Sequence, residues 1–524
     1  MAVPERGRPL AMSALLVATL TGLSQLLGLL RDTVMAAIFG AGADVDAFLV
    51  AQGLLNLVLA VAAGAIAKAT VPVLSRAVDT GRYADGLGTL RVALTLCTLV
   101  LGLAAVGMWF AADALVGVLA PGFDPAVRAT AVELTRIMLV SVLFVAGTNI
   151  LAGGAQAYGV FGWAALQGIP FNLAMIVAAL ALSPILGIRS LALGFAVGSF
   201  LRLLLQIPPM RRRGLRLRPS LRWRDPGLRE MAVLVPPLLL GSALGNVNAV
   251  VDRAVASQVG TGAIAGLSYG YRLVSIFDML VVATLATTLY PAFSAAGSPQ
   301  RRAELRSRVD RGAGMALALL APAVALLLVA GRPIVTLIYG RGDFDQAAVE
   351  VTALALAGYA VGLLALGVRE VLTRASYAVG DSATPVRAAL AGAIVNVVGD
   401  LTLGPAFGVI GIAVATTLSF VTAAVVLCWS AAHRHQLVRP GAVLTAAAVT
   451  VGAAAAAGGG ATLVAWAWRS WLPAGTLATA GEVVVVAVVI VPTYLVLLRL
   501  AGRPEPADLA ALARSVRRRL RPPS

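Results

Sequence analysis

The sequence predicts an all-α polytopic membrane protein with about 14 transmembrane helices, built as two parallel six-helix lobes followed by two additional helices. Three observations lead to this fold class. Hydrophobic residues make up 59% of the 524 residues and charged residues only 12%, with a mean hydropathy of +0.90. The first six apolar segments recur about 221 residues later in the chain. Most arginines fall in alternate loops, as expected when one set of loops stays in the cytoplasm.

The apolar segments set the number and order of the spans. A helix needs about 20 apolar residues to cross roughly 30 Å of hydrocarbon, where the backbone must satisfy its own hydrogen bonds, so we expect helices throughout and negligible sheet. The first six predicted spans cover residues 11–30, 47–68, 88–111, 129–152, 160–182 and 187–208. The next six cover 231–251, 264–290, 313–338, 347–372, 386–404 and 407–430, and the last two cover 441–467 and 477–500.

Residues that commonly begin, end or interrupt helices recur in the same order in the two halves. The pairs are Asp32 and Asp252, Gly40 and Gly260, Gly42 and Gly262, Pro184 and Pro405, and Gly187 and Gly408, with Asn396 near the place of Asn172. Because a unit with an even number of spans starts and ends on the same side of the membrane, the copies are predicted to be parallel and to enclose a central cavity. The predicted divisions are an N-terminal lobe at 1–209, a basic cytoplasmic linker at 210–230, a C-terminal lobe at 231–432, spans 13 and 14 at 433–502, and a basic cytoplasmic tail at 503–524.

The arginine distribution predicts the orientation. Loops rich in arginine are retained in the cytoplasm, and an even span count then places both termini there. The net charge of +17 is therefore a topology signal, with anionic membrane lipids as the partner. The arginine-rich run 211–218 joins the two lobes where a positive linker is expected, so nucleic acid is not a predicted partner.

Several kinds of active site are missing from the sequence. Lys68 is the only lysine, and no GxxxxGK[ST] phosphate loop is present to support ATP hydrolysis. His433 and His435 lie in a basic loop without nearby carboxylate or thiol ligands, so neither a metal site nor a cofactor is predicted. Asp44 and Asp46 form a DxD pattern that some metal-dependent glycosyltransferases use, although an acidic helix N-terminus is the commoner explanation.

Charged residues inside apolar spans need an explanation, since each costs about 2.5 to 3.5 kcal/mol on insertion scales unless it faces a cavity or a partner. Arg272 lies within the eighth predicted span, and its nearest opposite charge in sequence, Asp278, is on another helical face. We therefore expect Arg272 to meet a neighbouring helix or an anionic ligand. Arg31 follows the first span and either contacts a ligand or extends to the interface. Glu133 and Arg136 are predicted to form an ion pair on one helix.

A cationic cavity inside two helical lobes suits an amphiphilic anion, whose phosphates are held by arginines while its acyl or prenyl chains stay in lipid. Five segments match the landmarks of a known family in order and spacing: residues 28–48 (GLLRDTVMAAIFGAGADVDAF), Ala120–Phe123, Tyr269–Arg272, Tyr339–Phe344 and Asp381–Val386. The chain resembles the MurJ (MviN) lipid II flippases over nearly its whole length. The resemblance implies the multidrug, oligosaccharidyl-lipid and polysaccharide exporter superfamily, with two six-helix lobes in a V, alternating access, and a lipid-tail groove formed by two extra C-terminal helices.

The resemblance also implies candidate substrate-binding residues in or around the central cavity. These are Arg31, Asp32, Asp46 and Arg272, to which we add Lys68 and Asn172. The chain departs from the family pattern where charged residues are usual, at Gln25, Leu59, Ala60 and Ala63. Lys68 lies about 13 Å along a helix axis from Leu59, too far to reach the same phosphate.

We hypothesise a flippase that moves the undecaprenyl-diphosphate-linked peptidoglycan precursor, lipid II, from the inner to the outer leaflet of the bacterial plasma membrane without making or breaking a bond. Arg31 and Arg272 would contact the diphosphate, and Asp32 and Asp46 would pair with these arginines when the cavity is empty. Cell-wall synthesis proteins are further expected partners. The sequence leaves open a flippase for another polyprenyl-linked glycan, a transport-deficient paralogue, a multidrug antiporter, and a polyprenyl-phosphate glycosyltransferase with a metal at Asp44 and Asp46.

Overall fold

The computed structural model describes residues 10–59, 64–216, 218–288, 293, 299–473 and 475–507, and every regular element within them is a helix. The predicted all-α class is therefore confirmed. The chain divides by packing into a first unit, Met1–Ala265 with Arg341–Asp345, and a second unit, Gly266–Gly340 with Gln346–Ser524. The division into lobes, linker and tail that the repeat suggests stays a prediction.

Apolar runs form the helices of the first unit, and glycines with a left-handed backbone end several of them. Between Arg91 and Asp113, for example, the fourth helix carries no charged residue. Gly40 ends the first helix at φ +66°, a conformation that glycine adopts without steric cost. The helices of this unit are α1 (Leu10–Phe39), α2 (Ala43–Val58), α3 (Gly64–Asp79), α4 (Tyr83–Leu119), α5 (Pro125–Met138), α6 (Ser141–Ala157), α7 (Gly162–Leu166), α8 (Gly168–Leu186), α9 (Arg189–Arg212), α10 (Pro226–Val259) and the first turn of α11 (Ala263–Thr288).

The second unit holds the rest of α11 and the C-terminal helices. These are α12 (Arg302–Tyr339), α13 (Gln346–Ala360), α14 (Gly362–Ala378), α15 (Ala383–Phe407), α16 (Val409–His433), α17 (Pro440–Trp471) and α18 (Thr476–Leu500). Helices α17 and α18, which lie outside the sequence repeat, pack on α12 through alanines such as Ala457 and Ala461. Small side chains allow helices to approach closely, and the hydroxyl of Tyr494 donates to the backbone oxygen of Ala318 at 3.1 Å across this contact.

The backbone repeats at the interval that the sequence predicts. Gly187 has φ 54° and ψ −138°, and its partner Gly408 has φ 66° and ψ −141°. The fourth and tenth predicted spans are both broken, because α5 and α6 meet at 46° near residues 139–140 and α13 and α14 meet at 40° near residue 361. The two halves therefore share local conformations as well as residue types.

The helix boundaries differ from the predicted spans in several places. Among the described residues, nine helices are long and apolar enough to cross a membrane, or up to eleven if each bent pair is one span, so the total of 14 stays a prediction. The predicted span 47–68 corresponds to α2 and α3, and helical structure continues to Asp79. A hydropathy pattern misses this extension because the end of α3 is amphipathic rather than apolar.

Candidate functional site

Asp46 lies in the first turn of α2 and is only 2% exposed. Its two carboxylate oxygens accept hydrogen bonds from the backbone N–H groups of Gly262, at 2.6 Å, and Ala265, at 2.8 Å. These donors lie at the start of α11, where the first N–H groups of a helix have no partner within the helix. Asp46 therefore caps α11 from another helix, a position where the helix dipole favours negative charge. The sequence analysis had expected an arginine partner instead.

Close backbone contacts surround this cap. A Cβ atom added to Gly262, at φ +82°, would lie 2.2 Å from the carbonyl oxygen of Ala41. A Cβ atom added to Gly342, at φ +58°, would lie 1.9 Å from the carbonyl oxygen of Ala37, which also accepts from the N–H of Asp343 at 2.9 Å. Only glycine fits both the space and the backbone conformation at these two positions. We call this set of contacts, together with the Asp46 cap, the glycine clasp.

A cationic group lies elsewhere in the first unit, around the ring of Phe171. Arg31 donates to one oxygen of Asp32 from Nε at 3.0 Å and from Nη2 at 2.7 Å. The guanidinium carbons of Arg31 and Arg202 lie 5.9 Å and 5.4 Å from the centroid of the Phe171 ring. Arg202 also donates to Gln167 at 3.4 Å, while its buried Nε has no hydrogen-bond partner among the described residues. Two guanidinium groups and one carboxylate give this group a net positive charge, which favours an anionic ligand.

The sequence analysis missed Arg202, although a signal was present. Arg202 is a charged residue within the predicted span 187–208, where an arginine is costly unless it faces a partner, a cavity or a ligand. Its proximity to Arg31 through Phe171 joins residues that are 171 positions apart in the chain. Nothing in the local sequence indicates that pairing.

Asn172 and Lys68 have different surroundings. The side-chain amide of Asn172 donates to the backbone oxygen of Ser24 at 3.1 Å, which ties α8 to α1 beside the cationic group. Lys68 is exposed on α3, a helix that packs on α4, α6 and α10. The structure therefore brings Arg31, Asp32 and Asn172 together and places Lys68 on another helix.

Arg272 lies on α11 in the second unit and is partly buried. Its backbone oxygen accepts from the hydroxyl of Ser275 at 2.7 Å. The preceding residue, Tyr271, packs edge-on against Tyr359 with ring centroids 5.4 Å apart. Since Arg31 belongs to the first unit, shared contact of Arg31 and Arg272 with one ligand stays a prediction.

The predicted ion pair between Glu133 and Arg136 is wrong. Glu133 pairs with Arg189 of α9 at 2.7 Å, and the guanidinium of Arg136 lies 5.7 Å from the centroid of the Trp109 ring. Glu133 therefore pairs with an arginine of a neighbouring helix rather than with Arg136 of its own helix.

The DxD pattern does not form a paired carboxylate site. Asp44 is exposed, whereas both oxygens of Asp46 accept backbone hydrogen bonds. Within the described ranges, no group of three or more His, Cys, Asp or Glu side chains is placed to hold a metal ion. Of the departures from the family pattern, Leu59 is buried, while Ala60 and Ala63 lie outside the described residues.

Asp381, in the loop between α14 and α15, forms a polar cluster outside the predicted spans. It accepts hydrogen bonds from the N–H of Ala383 at 3.1 Å, the N–H of Thr384 at 3.0 Å and the hydroxyl of Thr384 at 2.6 Å. The Nε2 atom of His435 lies 2.7 Å from the same carboxylate. Partial burial alone would raise the pKa of Asp381, but the hydrogen bonds from Thr384 and the hydrogen bond and charge of His435 hold the pKa well below its usual range.

An apolar groove of about 600 Å³ lies between α12, α14 and α17 of the second unit. Small residues of α17 form one wall, including Ala454, Gly458 and Gly459. Trp466 and Arg469 lie at one end, and Arg469 donates to Glu482 from Nε at 2.9 Å. The groove has the chemistry of a site for an alkyl or prenyl chain with a polar group at one end.

Comparisons with known proteins agree with this architecture. Residues 35–480 match the family described as "Lipid II flippase MurJ". The chain is 31% identical over 422 residues to the probable lipid II flippase MurJ of Vibrio cholerae serotype O1, covering 78% of this chain and 80% of that protein. It is 29% identical over 413 residues to the lipid II flippase MurJ of Burkholderia cenocepacia, covering 76% and 79%.

Solved structures show the same fold. A structure titled "Lipid II flippase MurJ, inward closed conformation" superposes with a TM-score of 0.76 at 20% identity, covering 93% of this chain and 100% of that one. An inward-facing multidrug transporter of the MATE family superposes with a TM-score of 0.66 at 16% identity, covering 82% and 99%.

Proposed function

The chain belongs to the lipid II flippase MurJ family, and from this premise we propose that it moves lipid II from the inner to the outer leaflet of the bacterial plasma membrane. The family match over residues 35–480 carries this conclusion. The protein is a multi-pass membrane transporter, and its arginine-rich loops support a cytoplasmic location for both termini. Cell-wall synthesis proteins and anionic lipids are its proposed partners.

The chemistry of the ligand fits the cationic group around Phe171. The diphosphate of lipid II carries negative charge that guanidinium groups bind through charge-assisted hydrogen bonds. We propose that Arg31 contacts the diphosphate, and the buried Nε of Arg202 supports a role for that residue beside Arg31. Contact of Arg272 with the diphosphate is a separate proposal that rests on the family resemblance. Asp32 pairs with Arg31 at 2.7 Å, and a diphosphate would compete for the same guanidinium.

The glycine clasp supports a role in alternating access. A transporter of this kind exchanges two states, and each state needs contacts that the other lacks. The Asp46 cap on α11 is a candidate for such a contact, because a carboxylate that satisfies two backbone donors holds its helices in one arrangement. We propose that the clasp holds α1, α2 and the start of α11 together in one state and opens when the transporter reorients.

The groove along α17 supports the same assignment for the cargo tail. Lipid II carries a long prenyl chain that stays in an apolar environment while the headgroup crosses. Small residues at Gly458 and Gly459 leave room for such a chain beside α12. The absence of a phosphate loop from the sequence is consistent with transport that does not hydrolyse ATP through that motif.

The experiment depletes a bacterial cell of its own lipid II flippase and expresses this chain at a verified level. We expect externally accessible lipid II to return with the wild type and to be lost with Arg31→Gln. Arg189→Gln is the matched control, since Arg189 is an exposed residue at the start of α9 that pairs with Glu133 of α5. Restoration by Arg31→Gln at wild-type level would reject the site, and no restoration by the wild type would reject the function.

A further inference from the structure

Hydrogen bonds hold the segment between α9 and α10 against α4. We call residues 218–225 the linker arch. The N–H of Ser220 donates to the hydroxyl of Thr95 at 3.0 Å, and the hydroxyl of Thr89 donates to Asp225 at 2.7 Å. Two hydrogen bonds to one helix therefore set the position of the arch along that helix.

The positions of charged residues on α4 indicate how far the linker arch extends along that helix. Arg91 is its last charged residue before an uncharged stretch that ends at Asp113. Thr95 lies one turn beyond Arg91, about 6 Å further along the helix axis. Ser220 therefore lies beside the start of the uncharged stretch of α4, where we expect lipid headgroups to give way to hydrocarbon.

The residues next to Ser220 are apolar and exposed. Leu221 is 54% exposed and Trp223 is 76% exposed, although both belong to a loop rather than to a helix that crosses the membrane. Tryptophan favours the membrane interface, where its ring contacts acyl chains and its N–H contacts headgroups.

Arginines surround these apolar residues. Arg218, Arg222 and Arg224 are exposed, and in the part of the chain that the structure describes none of them pairs with a carboxylate. The nearby Asp225 accepts through Oδ1 from Thr89 and caps α10 through the N–H of Leu228 at 3.1 Å, and one carboxylate leaves three arginines with a net positive charge. The arch therefore combines three available cations with an exposed aromatic residue.

We propose that the linker arch is a binding site for anionic phospholipid of the cytoplasmic leaflet, with Leu221 and Trp223 between acyl chains and the three arginines on phosphate groups. Arginine forks match phosphate geometry, and basic residues at this depth bind anionic lipid more strongly than zwitterionic lipid. The site is independent of the cargo and of transport. A nucleic acid would also suit arginines beside a tryptophan, but the depth along α4 favours lipid.

The test uses the full chain in phosphatidylcholine nanodiscs that contain brominated lipid, either brominated phosphatidylcholine or brominated phosphatidylglycerol. Bromine quenches tryptophan fluorescence on contact, and the Trp223 signal is the difference between wild type and Trp223→Phe, since the chain has 7 tryptophans. We expect both lipids to quench Trp223 and phosphatidylglycerol to quench it more efficiently. The preference should fall roughly 100-fold in a triple variant of Arg218, Arg222 and Arg224 to glutamine, since each arginine contributes about fivefold.

A triple variant of Arg517, Arg518 and Arg519 to glutamine removes the same charge from the C-terminal tail and should leave the preference unchanged. Absence of quenching by either lipid would show that Trp223 faces water and would overturn the proposal. Equal quenching by both lipids would reduce the arch to an apolar anchor without headgroup recognition. A single-stranded oligonucleotide that shifts Trp223 emission when phosphatidylglycerol does not would assign the arch to nucleic acid.

Discussion

The Asp46 cap gives the sharpest prediction about the conformational mechanism. Asp46→Asn keeps the size of the side chain but removes its charge and turns one N–H₂ group toward a backbone donor. Each hydrogen bond to a charged group contributes about 1.5 to 3 kcal/mol, and the amide oxygen can keep one of the two. The expected loss is about 2 to 4 kcal/mol, which shifts the equilibrium of clasp opening roughly 30- to 900-fold.

Hydrogen exchange of the full chain in nanodiscs measures this shift directly. The amides of Gly262 and Ala265 donate to Asp46, so their exchange should accelerate by the same factor in Asp46→Asn. Asp44→Asn is the matched control, because Asp44 is exposed in the same helical turn and should leave both rates unchanged. Equal protection of the two amides in wild type and Asp46→Asn would show that the Asp46 carboxylate does not stabilise the start of α11.

Three other predictions test separate parts of the molecule. Gly342→Ala should destabilise the purified chain by about 1 to 3 kcal/mol or more in thermal unfolding, because the added Cβ would lie 1.9 Å from the carbonyl oxygen of Ala37 and the backbone is left-handed there. An unchanged Tm would contradict this prediction. Arg202→Gln should slow lipid II transport roughly 10- to 150-fold, with Arg202→Lys between it and wild type, and a wild-type rate in Arg202→Gln would remove that residue from the site. The depressed pKa of Asp381 predicts stabilisation that is complete above the unfolded pKa, about 4, and is lost as pH falls below it. The Tm difference between wild type and Asp381→Asn should therefore narrow only below about pH 4, whereas a Tm difference that stays constant as pH falls below about 4 would contradict this role of Asp381.

The fold was predictable because it depends on local and periodic properties of the sequence. Apolar runs of membrane length produce helices whatever their packing, since the backbone has no other partner in hydrocarbon. The repeat placed Gly187 and Gly408 in equivalent positions, and their backbone angles agree within about 12°. The broken spans were not predicted, because residues 139–140 and 361 carry no proline or charge that would signal a bend.

The site was only partly predictable because its contacts join distant parts of the chain. The sequence indicated Asp46 and Arg31 as candidates but not the partner of Asp46, which lies 216 residues away at the start of α11. Asp44 and Asp46 are two residues apart, a spacing found in metal sites, and the sequence does not show that Asp46 is buried while Asp44 is exposed. Arg202 carried a usable signal, a charge within an apolar span, whereas its position beside Phe171 required the packing of α8 on α9.

The central claim is that this chain moves lipid II across a bilayer without another protein. The most direct measurement places the purified chain in liposomes that contain fluorescent lipid II and follows its loss from one leaflet with a membrane-impermeant quencher, with and without an imposed membrane potential. We expect movement of lipid II that exceeds that in protein-free liposomes and falls with Arg31→Gln but not with Arg189→Gln. Lipid II that stays in its original leaflet with and without a membrane potential, with the chain correctly inserted, would show that the chain does not move it.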